Sequence, residues 1–386
     1  VSETEQVAPP RTRARHLYEV DLVRILTFAC VIIVHTTSHT AGPDDVGLYA
    51  ILGLAHFTRE VFFALSAFVL VYSYLAKPVP MKKFWPRRFL LVGVPYVVWS
   101  VIYFTASNLH TPRANDTVLD FLGRLVVHIL TGTAWYHLYF LLVTMQVYLL
   151  VPVIVWLVKK LRGHHVALLV VTGVFQLGLT AYYAYGSDLP GWLDSTYSKV
   201  WFFTYLFFIF LGAVAADHWK ELFAWVATHR RTIGWIVLGT GLVTLGVFEL
   251  QHLLLGWSYY HTGTPLQPIE MIWSLAVALG FLALGSYWAE RRTAGSRPSR
   301  LADWASDRSF GIFLSHPFVL WVILWVGDGW LPKVVPTPWL TLVAYVIVVL
   351  GAVGITEAAR RSPVSLPLTG RPWQRPRREG RPPSGA

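Results

Sequence analysis

The sequence predicts an all-α membrane protein: a polytopic helix bundle of about ten transmembrane helices, with both termini cytoplasmic. Three observations carry this. Hydrophobic residues make up 55% of the 386-residue chain and charged residues 14%, against roughly 25% charged in soluble domains. Apolar runs of the roughly 20 residues needed to cross a bilayer recur along the chain. Lys and Arg fall almost entirely into alternate loops. This composition excludes a soluble globular enzyme, a disordered chain and a nucleic-acid-binding module. The net charge of +11 reads as topology signal plus attraction to anionic lipid. A single cysteine, Cys30, excludes a disulfide framework and any cysteine-built metal site.

Ten apolar stretches run over residues 20–40, 47–74, 86–107, 134–157, 165–185, 199–216, 232–255, 268–288, 309–327 and 338–356. Residues 117–130 are partly apolar, but Asp120 and Arg124 interrupt them, which reads as an amphipathic helix at the surface. With this span count, 26 of the 32 Lys and Arg residues lie in the tails and even-numbered loops, the bias of cytoplasmic segments. The first apolar run ends without a small-residue cleavage site, so no cleavable signal is expected. The chain thus divides into a basic cytoplasmic tail (1–16), a ten-span membrane domain (17–356) and a Pro/Arg-rich cytoplasmic tail (357–386) expected to be disordered.

An ionisable side chain inside a span is costly and faces the protein interior or a cavity, which makes it a candidate functional group. Arg24 and His35 stand eleven positions apart in the first span. At about 100° per residue they share one helix face, about 16 Å apart along the axis. A fixed cation then lies toward the cytoplasm and a titratable base toward the outside. Histidine accepts a proton at neutral pH when its other ring nitrogen is oriented by a partner. The plainer reading has Arg24 snorkelling to phosphates and paired with Asp21, and His35 in a packing hydrogen bond. His39 has the i, i+4 spacing of a metal-binding pair with His35, but no HExxH pattern or matching carboxylate accompanies it. No metal site is expected, and His39 is assigned to the outer interface.

In the second span Arg59 and Glu60 are adjacent, so they point to different helix faces and need separate partners. A structural polar network and a substrate site are both open there. Ala64, Ser66 and Ala67 would permit close helix contact. Lys82, Lys83, Arg87 and Arg88 enter the third span; they suit lipid headgroups or the phosphates of a cytosolic donor, with Arg88 the deeper of its pair. His137 sits within an aromatic belt of Trp135 and Tyr136. Pro317 frees a backbone carbonyl that His316 or Ser315 can satisfy. Glu249, His252 and Glu270 lie toward the outer ends of spans seven and eight, lining an outward cavity or simply hydrated.

Taken in order, these segments resemble the acyltransferase-3 family of integral membrane proteins. Its members begin with Arg, ten residues, then His in the first span, as Arg24 and His35 do. The stretches from Phe62 to Phe68, Arg87 to Tyr96, His137 to Phe140 and Ser309 to Pro317 look like the family's other landmarks, and together they cover roughly residues 17–356. Members commonly carry Gly where Ala67 stands. Many have two arginines three apart where this chain has Arg88 followed by Leu91, which suggests that Arg87, Lys82 or Lys83 compensates.

The resemblance implies an O-acyltransferase that moves an acyl group, often acetyl, from cytosolic acyl-CoA to a hydroxyl of a carbohydrate or glycosylated acceptor. Acyl-CoA would be a donor substrate, with no cofactor or metal bound, and the enzyme would sit in the plasma (inner) membrane. Its partners would be acyl-CoA, the acceptor and membrane lipids, with no nucleic acid. Arg24 and His35 would be catalytic; Arg88, Arg87, Lys83, His137, Glu60 and His316 would bind donor or substrate. The rival class is a transporter or flippase for a saccharide or lipid-linked sugar. That class needs no proton acceptor in line with a cytoplasmic cation, and the chain carries no internal repeat of the kind transporters often show.

Overall fold

The computed structural model describes residues 15–114, 116–186, 190–193, 197–326 and 329–373. Its helices are α1 (Tyr18–Thr40), α2 (Val46–Ala55), α3 (Thr58–Ala76), α4 (Met81–His110), α5 (Val118–Thr131), α6 (Tyr139–Lys160), α7 (His165–Tyr185) and α8 (Leu206–Asp217). They continue as α9 (Trp219–Thr228), α10 (Arg230–Leu255), α11 (Tyr259–Thr262), α12 (Pro268–Arg291), α13 (Arg297–Trp325), α14 (Trp330–Val334), α15 (Trp339–Arg360) and α16 (Ser365–Thr369). There is no strand among the described residues. Nine segments among them are long and apolar enough to cross a membrane, α2 and α3 counting as one. Many large apolar side chains on their outer faces are exposed, Val171, Leu242 and Leu350 among them, as a lipid-facing surface requires. The expected polytopic helix bundle is therefore the fold.

The expected sixth span departs from a simple helix. Residues 198–205 are two short 3-10 turns, and regular helix begins only at Leu206. Non-helical backbone at membrane depth needs partners from the protein, and two buried or half-buried glutamines supply them. Gln146 donates to the Val200 carbonyl at 2.7 Å and accepts from the Phe202 N–H at 3.1 Å. Gln176 accepts from the Phe207 N–H at 2.9 Å. The 202–217 segment then bends by 93° into α9. It nonetheless returns the chain to the end where α6 finished. Arg162, just after α6, holds Asp217 through two bonds of 2.5 and 3.0 Å, and a ring nitrogen of His165 lies 2.8 Å from one of His218. With this broken segment counted as one span, the described residues make ten passes.

Basic residues of the even-numbered loops meet at that same end. Arg308 pairs with Glu357 at 2.6 Å, Arg292 with Asp303 at 2.7 Å, and Arg230 with Glu290. Arg292 also lies over the Tyr18 ring. The passes are locked by small residues. A Cβ on Gly212 would overlap the Ala64 carbonyl oxygen, so α8 lies directly against the small-residue face of α3.

Residues 1–14 of the basic tail lie outside the described residues, as do 374–386. The disorder expected from 357 does not begin there. α15 runs on to Arg360, and α16 packs against α4, α13 and α15. Composition counted the Pro and Arg content of this segment but not its partners. Ser365 and Thr369 are buried, the Leu368 carbonyl accepts from Trp99 Nε1 at 3.1 Å, and Arg360 pairs with Asp307 at 2.6 Å.

Segment 118–131 is a surface helix of 14 residues, too short to span. Asp120 closes a capping box with Thr117, and the hydroxyl and N–H of Thr117 hold its carboxyl below the ordinary range.

Candidate active site

α1 carries both arms of the site. Arg24 lines a cavity of ≈ 170 Å³ together with Arg88, Tyr148, Ser66 and Phe62. His35, eleven residues on, lines a second cavity of ≈ 260 Å³ with His39, His56, Arg59, Tyr136 and His137. The residue common to both is Phe62. Its ring packs edge-on to Phe28 at 4.8 Å and Phe140 at 4.5 Å and lies 6.3 Å from Phe313. An aromatic partition therefore stands between a cationic chamber near the basic end and a histidine chamber near the other.

In the cationic chamber Arg24 reaches Asp21 at 3.4 Å and Ser306 of α13 at 3.2 Å, while Ser306 donates to the same Asp21 oxygen at 2.8 Å. The pairing with Asp21 is the one the plainer reading of the sequence anticipated; here it also fixes the guanidinium within the chamber. Arg88 packs over Phe84 and Tyr148, 5.5 and 6.0 Å from the ring centres, and makes no ion pair among the described residues. Arg87 and Lys83 are exposed and line neither chamber, because one and five helical steps rotate them about 100° and about 140° away from Arg88.

A further cation near Arg24, not lining the chamber, comes from the C-terminal segment. Gly370, at φ +65°, lies against the Leu91 carbonyl. Ser365 donates to the Arg371 carbonyl at 2.8 Å, and the Arg371 guanidinium is 3.5 Å from Asp307 and within electrostatic range of Arg24. Gly370, the neighbour of Arg371 in the chain, is thus the residue that meets position 91.

In the histidine chamber the His35 ring lies 4.6 Å from that of Tyr136 and 5.3 Å, stacked, from His316. No hydrogen bond reaches the His35 ring nitrogens among the described residues, so packing orients it. His316 is fully buried and does not line the chamber. Its Nδ1 lies 2.8 Å from the Phe313 carbonyl, the one that Pro317 leaves without its helical N–H, and Nε2 has no partner. Donation from Nδ1 assigns the tautomer and leaves an unshared lone pair on Nε2, in the plane of a ring stacked with that of His35. Tyr103 donates to the next carbonyl, Leu314, at 2.7 Å. His137 is buried edge-on to His316 at 5.7 Å. His39, assigned to the interface from sequence, instead lines the chamber.

Arg59 and Glu60 correct the expectation of separate partners: they pair with each other at 3.3 Å. They sit in the first turn of α3, just past the break at His56–Phe57, where neighbouring side chains can lean together. Arg59 lines the chamber, whereas Glu60 and Glu270 are buried and do not line it. From sequence Phe62 and Tyr136 figured only in a landmark stretch and an aromatic belt, and Tyr148 not at all; a phenol in mid-span at Tyr148 was the available signal. The grouping of metal-like spacing is elsewhere, His165, Asp217 and His218, and its atoms are engaged with one another and with Arg162.

A family model for an acyltransferase domain matches residues 17–357, nearly the whole chain. The chain belongs to the acyltransferase-3 family. No curated protein and no solved structure matches it. As an acyltransferase-3 protein it is a multi-pass membrane acyltransferase, and the two chambers lie wholly within the matched residues, with Arg371 beyond them.

Proposed function

We propose that the protein is an O-acyltransferase that takes a short acyl group, acetyl in the first instance, from cytosolic acyl-CoA and passes it to a hydroxyl of a carbohydrate or glycosylated acceptor across the plasma membrane. The observation that supports this is the meeting of a cationic and a histidine chamber at one ring, Phe62. Arg24, Arg88 and Arg371 would hold the phosphates of CoA; guanidinium groups suit them through paired N–H donors. The extended pantetheine arm is of the same order as the roughly 16 Å between Arg24 and His35, so the thioester would reach the partition.

His35 takes the proton of the acceptor hydroxyl as its oxygen attacks the thioester carbonyl. The new C–O bond forms, the C–S bond breaks, and the thiolate leaves as CoA, to which the proton is returned. The stacked ring of His316, itself held by the Phe313 carbonyl, would keep the His35 ring in position. Aromatic packing around Phe62 excludes water and limits hydrolysis. The saccharide-export reading would use the histidine chamber equally, but it leaves Arg24 and Arg88 in line with His35 without a task.

The test is free CoA release and acyl transfer by purified protein in nanodiscs with acetyl-CoA and cell-envelope glycans. His35→Gln keeps hydrogen-bonding capacity but not proton uptake, and should lower turnover by about 10²–10⁴-fold with thermal stability retained. His39→Ala should be much milder. Near-normal turnover in folded His35→Gln excludes imidazole chemistry.

A further inference from the structure

A cavity larger than either chamber opens at the end opposite the basic loops, with a volume of ≈ 750 Å³. α4 explains its rim: at 30 residues it is about 45 Å long, so its C-terminal turn projects beyond the roughly 30 Å hydrocarbon layer. α5 forms a wall. Its apolar face, with Leu119 and Leu130 more than 70% exposed, is turned out, while Arg124 and His128 line the cavity. The cavity adjoins the His35 chamber, with His39 and Tyr136 lining both.

Three indoles line this vestibule, Trp135, Trp321 and Trp325, together with Asn108 and Arg113. An interfacial aromatic belt explains tryptophans that face lipid, as exposed Trp339 does on the outside of α15. It does not explain indoles gathered around a polar cavity. The Trp325 ring stands edge-on to His39 at 5.3 Å, beside the entrance to the chamber. Arg124 is already committed: it pairs with Asp116, donates to Asn108 at 3.1 Å and lies over Phe104. Arg113 is exposed and has no ion pair among the described residues, and no carboxylate lines the cavity.

We propose that this vestibule docks the acceptor as an oligosaccharide of two or more rings, stacked on Trp321 and Trp325, with an acidic substituent held by Arg113. The inference rests on the reading that the acceptor is a carbohydrate. A pyranose presents a face of C–H bonds, slightly positive, to the negative face of an indole, and its hydroxyls match Ser107 and His128, which also line the cavity. The volume, nearly three times that of the His35 chamber, suits several rings with one delivered past His39.

The experiment uses the full chain in nanodiscs, without acyl donor, on an array of mono- and oligosaccharides that pairs neutral glycans with uronic-acid-containing counterparts. Oligosaccharides should be retained over monosaccharides and acidic ones over neutral ones. Trp325→Ala, at a partly exposed position, should weaken retention up to about tenfold, the worth of one aromatic stacking contact; Trp339→Ala should not. Arg113→Ala should abolish the preference for acidic glycans. Retention of no glycan, or retention indifferent to Trp325→Ala, overturns the dock, and equal retention of neutral and acidic glycans overturns the role of Arg113. Glycan retention without any acetyl-CoA turnover would count against the transferase reading and leave the dock standing.

Discussion

Replacing Phe62 by alanine removes the ring that stands between the two chambers and joins voids of ≈ 260 and ≈ 170 Å³. A buried Phe→Ala change costs about 3–5 kcal/mol; Phe62 is half-buried with a void on either side, so the loss should fall near the lower figure. The functional change should be larger. A methylene in a tight pocket discriminates by roughly 10–200-fold, so a partition closed to all but short acyl groups should make butyryl-CoA at least about 100-fold poorer than acetyl-CoA. In Phe62→Ala the two donors should converge to within several-fold. Water should also enter, so CoA release without any acceptor should rise above that of the wild type. The assay is thiol release by purified protein in nanodiscs, with acetyl-, butyryl- and hexanoyl-CoA, with and without envelope glycans, and a melting curve for each variant. Phe62→Leu, which keeps apolar bulk, supplies a folded intermediate. If folded Phe62→Ala and Phe62→Leu both keep the wild-type chain-length profile and hydrolysis rate, the partition does not govern passage.

Arg88→Ala and Arg371→Ala should each raise the apparent KM for acetyl-CoA several-fold with kcat little changed, whereas Arg87→Ala and Lys83→Ala should do neither. The same four variants should be indistinguishable with acetyl-pantetheine, which lacks the nucleotide phosphates, and an Arg371 effect on that analogue would contradict phosphate binding. Gly212→Val should lower the melting temperature sharply, since its side chain meets the Ala64 carbonyl and overpacking alone costs about 1–3 kcal/mol; unchanged melting would mean that α8 and α3 do not touch. The Asp120 carboxyl is held below the ordinary range by Thr117, so the cap on α5 is present above the unfolded carboxylate range and lost as pH falls through the folded value. Hydrogen exchange of the α5 amides should therefore stay slow from neutral to mildly acidic pH and quicken only in strong acid, and acceleration already at pH 6 would point to a different control.

The passes were legible because hydropathy and the alternation of basic loops are each spread over the whole chain, so no single residue decides them. Even the irregular sixth pass keeps its place, since Gln146 and Gln176 satisfy the backbone that fails to form helix. The shared face of Arg24 and His35 was legible for a similar reason: one helix and its period suffice. Likewise the His316–Pro317 step announced a freed carbonyl, and His316 takes the one at Phe313. What periodicity cannot carry is any group brought in by another element. Phe62 reads as one aromatic among many until Phe28, Phe140 and Phe313 from three other helices close around it. Arg371 was hidden by composition: in a Pro/Arg-rich tail it counts toward disorder, yet Ser365 holds its carbonyl and its guanidinium lies 3.5 Å from Asp307. The vestibule is the extreme case, because its lining comes from α1, α4, α5, α13 and the turn before α6. Each of those segments alone looks like an interfacial belt, and only their convergence separates a lipid-facing tryptophan such as Trp339 from a cavity-lining one such as Trp325.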